Sequence, residues 1–93
     1  MLGAVLNLKR HKRFKKDLSK VKMTDKQFEK FVKYISLLLE GKPLPPEAKD
    51  HPLSGNWKDF REFHLGGDLL VIYKVDNKDL ILVRIGTHNQ LFE

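Results

Sequence analysis

Between Thr24 and Gly41, apolar residues fall at Phe28, Phe31, Val32, Ile35, Leu38 and Leu39. That spacing follows the 3.6-residue turn of an α-helix with one apolar face. Thr24 with Gln27 three positions on makes a capping-box pattern at the start. Gly41 suits a left-handed stop, and Pro43 blocks continuation. The stripe is expected to cover a sheet. Upstream, Phe14, Leu18 and Val21 recur at four and three residues, which predicts another helix over about 9–21. Only Lys22 and Met23 separate the two, so an antiparallel helical hairpin is expected. Residues 2–8 (LGAVLNL) are nearly all apolar and predict a short strand inside a sheet rather than at its rim.

Downstream the period changes. Residues 41–56 (GKPLPPEAKDHPLSGN) hold four prolines and two glycines and predict a long surface loop. His51 lies in it, pushed towards extended backbone by Pro52. The next segment, WKDFREFHL, alternates well enough for a strand, with Trp57 expected in a core. Gly66-Gly67 predicts a tight turn into Leu69–Val75. Asp76-Asn77-Lys78-Asp79 predicts the turn into Leu80–Ile85, and Gly86 ends that strand. Two strands this apolar belong in the middle of a sheet. The expected order is β-α-α-β-β-β in a single domain over 1–93. The fold class is α+β: an N-terminal strand and helical hairpin packed on a small, mostly antiparallel sheet.

Charge changes the picture more than composition does. The chain carries +6, with a sequence pI near 9.7. Residues 9–22 hold eight of the eighteen Lys/Arg and one acid, Asp17. Such a segment is either a solvated helix face or a contact for a polyanion. The candidates for RNA contact are Lys9, Arg10, Lys12, Arg13, Lys15 and Lys16. The absence of cysteine excludes a disulfide scaffold, a thiolate zinc site and a cysteine nucleophile. No apolar run approaches the ~20 residues of a membrane span. The opening MLGAVLNL lacks a basic n-region and a cleavage site, so action in the cytoplasm, without a membrane partner, is expected.

Three of the four histidines (His51, His64, His88) fall beside turn signals or strand ends. If 80–85 pairs antiparallel with 69–75, residues 84–88 return beside 65–70. One sheet end then collects His64, Asp68, Arg84 and His88, with His51 arriving from the loop. Structural hydrogen bonding, a metal site and acid–base chemistry all compete for such a set. No two histidines stand at i, i+2 or i, i+4, and Arg84 would oppose a divalent cation, so no metal and no cofactor are assigned. Cleavage of a phosphodiester needs a base for the 2′-hydroxyl, an acid for the leaving 5′-oxygen and a cation for the developing charge. Imidazoles and a guanidinium supply these.

The strings KDHPL (49–53), GNWKDFREFH (55–64), D-LLVIYKV (68–75) and R-GTH-LF (84–92) resemble the YafQ-type branch of the RelE/ParE toxin superfamily. The likeness is close over about 40–93; the N-terminal half agrees only in element order and basic character. It implies a bacterial type II toxin, an endoribonuclease cutting mRNA in the ribosomal A site, and a cognate antitoxin that wraps it. It further implies a catalytic set of His51, His64, Asp68, His88 and Phe92, with Arg84 stabilising phosphate charge. Phe92 is either a base-stacking platform or a C-terminal core anchor. Gly66-Gly67 departs from the family pattern and puts the placement of Asp68 in question. The rival expectation is a binding protein of the same fold: a gyrase poison, or a relative that mainly binds its antitoxin.

Overall fold

A computed structural model describes residues 5–92. Its sheet runs in the order β1-β5-β4-β3-β2. The strands are β1 (Asn7–Arg10), β2 (His51–Pro52), β3 (Arg61–Gly66), β4 (Leu69–Asp76) and β5 (Asp79–Thr87). The helices are α1 (Lys12–Leu18), α2 (Asp25–Leu39) and α3 (His88–Phe92). The α+β class is as expected, and β4 and β5 are the central strands.

Local chemistry sets several boundaries. At the start of α2 the Thr24 hydroxyl accepts from the Gln27 amide at 3.1 Å, and the Gln27 side chain accepts from the Thr24 amide at 3.0 Å. At its end Gly41 adopts φ +71°, while the Lys42 amide reaches the Leu37 carbonyl and the Gly41 amide reaches Leu38. This is the Schellman arrangement that a glycine permits cheaply. Asn77, at φ +56°, turns β4 into β5. Asparagine tolerates that left-handed backbone better than most residues.

Several expectations need correction. Trp57 lies in a 3-10 turn and β3 begins only at Arg61, while β5 runs through Gly86 to Thr87. The N-terminal strand is β1, NLKR, at the rim and exposed throughout; residues 2–4 lie outside the described residues. It pairs parallel with β5 on one side only. The basic helix begins at Lys12, so Lys9 and Arg10 belong to β1. The apolar stripe of α2 is rotated: Tyr34 and Ile35 are buried, while Phe28 and Val32 are exposed. The 41–56 loop contains β2 and two short 3-10 turns, because His51 and Pro52 pair with Glu62 and Arg61.

The sheet separates two apolar clusters. On one face Phe14 of α1 and Tyr34 and Ile35 of α2 pack over Phe63, Leu65, Val71, Tyr73, Leu80, Leu82 and Ile85. On the other face Leu70, Ile72 and Val83 pack with Ile81 of β5, with Leu53, Trp57 and Phe60 from the segment before β3, and with Leu91 and Phe92 from α3. Alternation along β3 puts Glu62 and His64 on this second, thinly covered face, since Phe63 and Leu65 belong to the first. No helix among the described residues is long and apolar enough to cross a membrane.

Candidate functional site

The thinly covered face is where chemistry collects. His51 pairs opposite Glu62 across β2 and β3, and His64 stands two residues further along β3. Both imidazoles aim Nε2 at Oε2 of Glu62, at 3.2 Å from His51 and 3.1 Å from His64. Their ring centroids are 6.2 Å apart. The Glu62 side chain is 6% exposed, against 47% for His51 and 28% for His64. The carboxylate is thus the floor of the group and the imidazoles are its open walls. Oε1 of Glu62 is buried without a hydrogen-bond partner among the described residues, an expensive state for a carboxylate oxygen.

His51 is held from behind. Its Nδ1 lies 2.7 Å from the Lys49 carbonyl, which can only accept, so that nitrogen carries a proton and Nε2 meets Glu62. Lys49 itself takes φ +50°. The neighbouring Asp50 accepts from the Tyr73 hydroxyl at 2.7 Å and from Arg61 Nε at 3.2 Å. Burial, and then the Asp50 carboxylate, push the Tyr73 hydroxyl well above its usual pKa, so it stays a donor. The chain entering β2 is therefore tied to the core beneath β4.

The rest of the expected set falls into three places. His88 opens α3 and is exposed; its ring lies 4.8 Å from that of Phe92, which sits 5.8 Å from Trp57. Asp68 is exposed in the β3–β4 turn and lines a small cleft with Lys20, Lys22, Gln27, Thr87 and Gln90. Gly67 enters that turn at φ +59°, and Gln27 of α2 donates to the Gly66 carbonyl at 3.0 Å. The turn carrying Asp68 is thereby pinned to a helix.

Arg84 is tied elsewhere. It pairs with Ile72, which pairs with Glu62, so its Cα stands about 10 Å from the Glu62 backbone across two strand spacings. Its Nε and Nη2 donate to Asp17 of α1 at 2.6 and 3.0 Å, and the Ile85 amide adds a third bond to that carboxylate. Burial pushes the Asp17 pKa up, but the bonds and charge of Arg84, with the Ile85 amide, bring it below the usual carboxylate value. A lowered folded-state pKa means that the pair's stabilisation is complete above the unfolded value near 4 and disappears as pH falls through the lower, folded one. Acid unfolding of the wild type should therefore show a stability loss below about pH 4 that Asp17→Asn lacks. Chemical denaturation at a series of pH values checks it; parallel curves for the two proteins would refute it.

Glu62 and Asp17 were not in the sequence-based set. In an alternating strand Glu62 reads as an outward polar residue, and Asp17 as one acid in a basic run; Asp17 acquires Arg84 only by long-range pairing, and Glu62 joins its strand neighbour His64 to the distant His51 only when β2 pairs with β3. The spacing argument against a metal weighed histidine pairs alone. Pairing of β2 with β3 instead brings ligand atoms of His51, Glu62 and His64 within 4.8 Å of one another. Two imidazole nitrogens and a carboxylate oxygen suit a transition metal.

Comparison with known proteins gives this arrangement a context. The chain is 39% identical over 80 residues to the mRNA interferase toxin YafQ of Escherichia coli K12, covering 85% of this chain and 87% of that one. Among solved structures, the E. coli DinJ-YafQ toxin-antitoxin complex superposes with a TM-score of 0.80 at 35% identity, over 95% of this chain and 98% of that one. A copper-bound mutant toxin from Helicobacter pylori reaches a TM-score of 0.83 at 38% identity, over 94% and 99%. The family described as "Bacterial toxin of type II toxin-antitoxin system, YafQ" matches residues 6–93. With the fold, the spread of matching residues and the near-complete coverage in agreement, the chain belongs to the YafQ family, bacterial toxins of type II toxin–antitoxin systems.

Proposed function

We propose that this toxin is an endoribonuclease that cuts mRNA on the ribosome by acid–base chemistry. The 2′-oxygen attacks the adjacent phosphorus as a base takes its proton. The bond to the 5′-oxygen breaks as an acid protonates the leaving group. The observation that carries the reading is the pair of imidazoles converging on one buried carboxylate, on the sheet face opposite α1 and α2. Ionisable groups poised near neutral pH are the usual agents of such transfer. His64 or Asp68 serves as base and His88 as acid; His51 completes the group around Glu62. Phe92 offers a ring to a base while also packing on Trp57. Arg84 supplies positive charge to the phosphates. The E. coli relative's designation as an mRNA interferase supports the substrate class.

The partners follow from the same reading. Lys9, Arg10, Lys12, Arg13, Lys15 and Lys16 line the RNA or the ribosome, and a cognate antitoxin neutralises the toxin by forming a complex with it, a reading supported by the E. coli DinJ-YafQ toxin-antitoxin complex. The site of action is the cytoplasm, where translated mRNA is found, and residues 1–93 act as one domain. Primer extension on mRNA after induction tests the reading. It expects in-frame breaks within translated regions, abolished by the antitoxin. Growth arrest with intact mRNA would refute it, and equal cutting of free RNA would remove the ribosome from the scheme.

A second reading has its own observation: His51, Glu62 and His64 form a ligand set, and the H. pylori relative is copper-bound. The unpartnered Oε1 of Glu62 fits a group that awaits an electrophile. A metal held there takes the imidazole lone pairs, and His51 and His64 then cannot shuttle protons. Binding of Cu²⁺ should therefore inhibit cleavage, with a chelator restoring it. Calorimetry should give one site per chain, weakened in His64→Ala by more than about tenfold, the loss even an outer-shell partner can cause. Equal affinity in that variant would remove the site.

A further inference from the structure

One charged group stands outside the histidine face. Asp17 occupies the Nε–Nη2 edge of Arg84 with both carboxylate oxygens, and neither side chain is more than 17% exposed. A guanidinium has a second edge, formed by Nη1 and Nη2, able to take a planar or tetrahedral anion through two parallel bonds. That group lines a cleft of about 530 Å³ together with Lys12, Arg13, Lys16 and Lys20. Five cations surround one carboxylate there, and the carboxylate is already spent on Arg84 and the Ile85 amide. Lys20 also lines the next cleft, which leads to Asp68, Thr87 and Gln90. The basic track therefore runs along α1 to the turn that carries a member of the proposed catalytic set.

We propose that Asp17 is a positioning residue that fixes Arg84 edge-on in an RNA phosphate-binding cleft completed by Lys12, Arg13, Lys16 and Lys20. The proposal rests on the RNA-cleaving reading above. A carboxylate in a basic cleft has two opposite consequences for an anion. It repels the phosphate, and it orients the fork that binds it. Arg84 unfastened from Asp17 has the rotamer freedom of a long side chain to lose on each binding event. Orientation outweighs repulsion here because the Asp17 charge is neutralised in place by a bidentate pair.

The test uses a fluorescent single-stranded RNA with 2′-O-methyl groups, which binds but cannot be cut, titrated at several salt concentrations. Simple electrostatics expects Asp17→Asn, one charge more positive, to bind tighter. Positioning expects it to bind about three- to tenfold weaker, with the salt slope reduced by about 0.7, one phosphate contact. Arg84→Lys keeps the charge, loses the fork and should weaken binding similarly; combining it with Asp17→Asn should add little. Lys20→Ala guards against a folding defect, since Lys20 is exposed and its loss should also weaken binding and lower the slope. Unchanged or tighter binding by Asp17→Asn, or an unchanged salt slope in Lys20→Ala, overturns the proposal. So does a cleft that takes an acidic peptide while these variants bind RNA as the wild type does. If the wild type cuts RNA yet Asp17→Asn binds it equally well, only this proposal falls. If the wild type neither binds nor cuts RNA, the functional reading falls with it.

Discussion

His88→Ala should lower the single-turnover rate of RNA cleavage by about 10²–10⁴, the usual contribution of one positioned acid or base. His88 is exposed at the first residue of α3, and its ring rests on Phe92 rather than in the core. Its loss should therefore change stability by no more than about 0.5 kcal/mol, the range for surface substitutions. A folded, stable protein that no longer protonates the leaving 5′-oxygen is the expected result. Cells inducing it should keep growing. His64→Ala should fall in the same range, but with a measurable effect on His51, because both rings share Glu62 Oε2. Cleavage by His88→Ala within twofold of wild type would assign the acid to another residue. If both variants stay as toxic as wild type, toxicity does not come from cleavage, and a binding mode takes its place.

Phe14→Ala should cost about 3–5 kcal/mol, the range for emptying an aromatic site in a core. Phe14 is the single buried residue of α1, 1% exposed, and its ring stacks at 6.4 Å on Phe31 of α2. A seven-residue helix has almost no stability of its own. Apolar anchorage of α1 comes from Phe14 with the partly buried Leu18, and polar anchorage from the Asp17–Arg84 pair. Against a typical total of about 5–15 kcal/mol, such a loss is large. The melting temperature should drop by about 4–8 °C for each kcal/mol lost. Because Lys12, Arg13 and Lys16 of the proposed RNA cleft ride on α1, RNA affinity should fall with it even where the protein remains folded. A melting shift under about 5 °C would mean that α1 is held chiefly by the ion pair.

The extent to which this could be read in advance differs from element to element. Thr24, Gln27 and Gly41 marked α2 correctly because capping is local: donor and acceptor lie within five residues of each other. The turns at Gly66-Gly67 and Asn77 were legible for the same reason, since a left-handed backbone selects glycine or asparagine on the spot. β4 and β5 announced themselves as central by being apolar on both faces. The rotation of the α2 stripe was not legible because Phe28 and Val32 look as apolar as Phe31 and Ile35; which of them faces inward depends on how far the helix is rotated over the sheet. β1 was misjudged because its apolar neighbours, not its own NLKR, carried the signal.

The histidine set followed a similar division. Periodicity and hairpin logic led to the expectation that His64, Asp68, Arg84 and His88 gather at one end of the sheet, with His51 arriving from the loop. The sequence by itself determined the α+β class, the two central strands, the start and stop of α2, the basic run and the list of groups able to move a proton. Those properties depend on neighbours along the chain. The tertiary structure alone decided that His51 and His64 share Glu62, that Arg84 is fastened to Asp17, and that His64 lies on the sheet face opposite α1 and α2. Each of these joins residues far apart in sequence or depends on which face of the sheet is covered. No periodicity encodes that; it is set when β2 pairs with β3 and α1 docks beside β5.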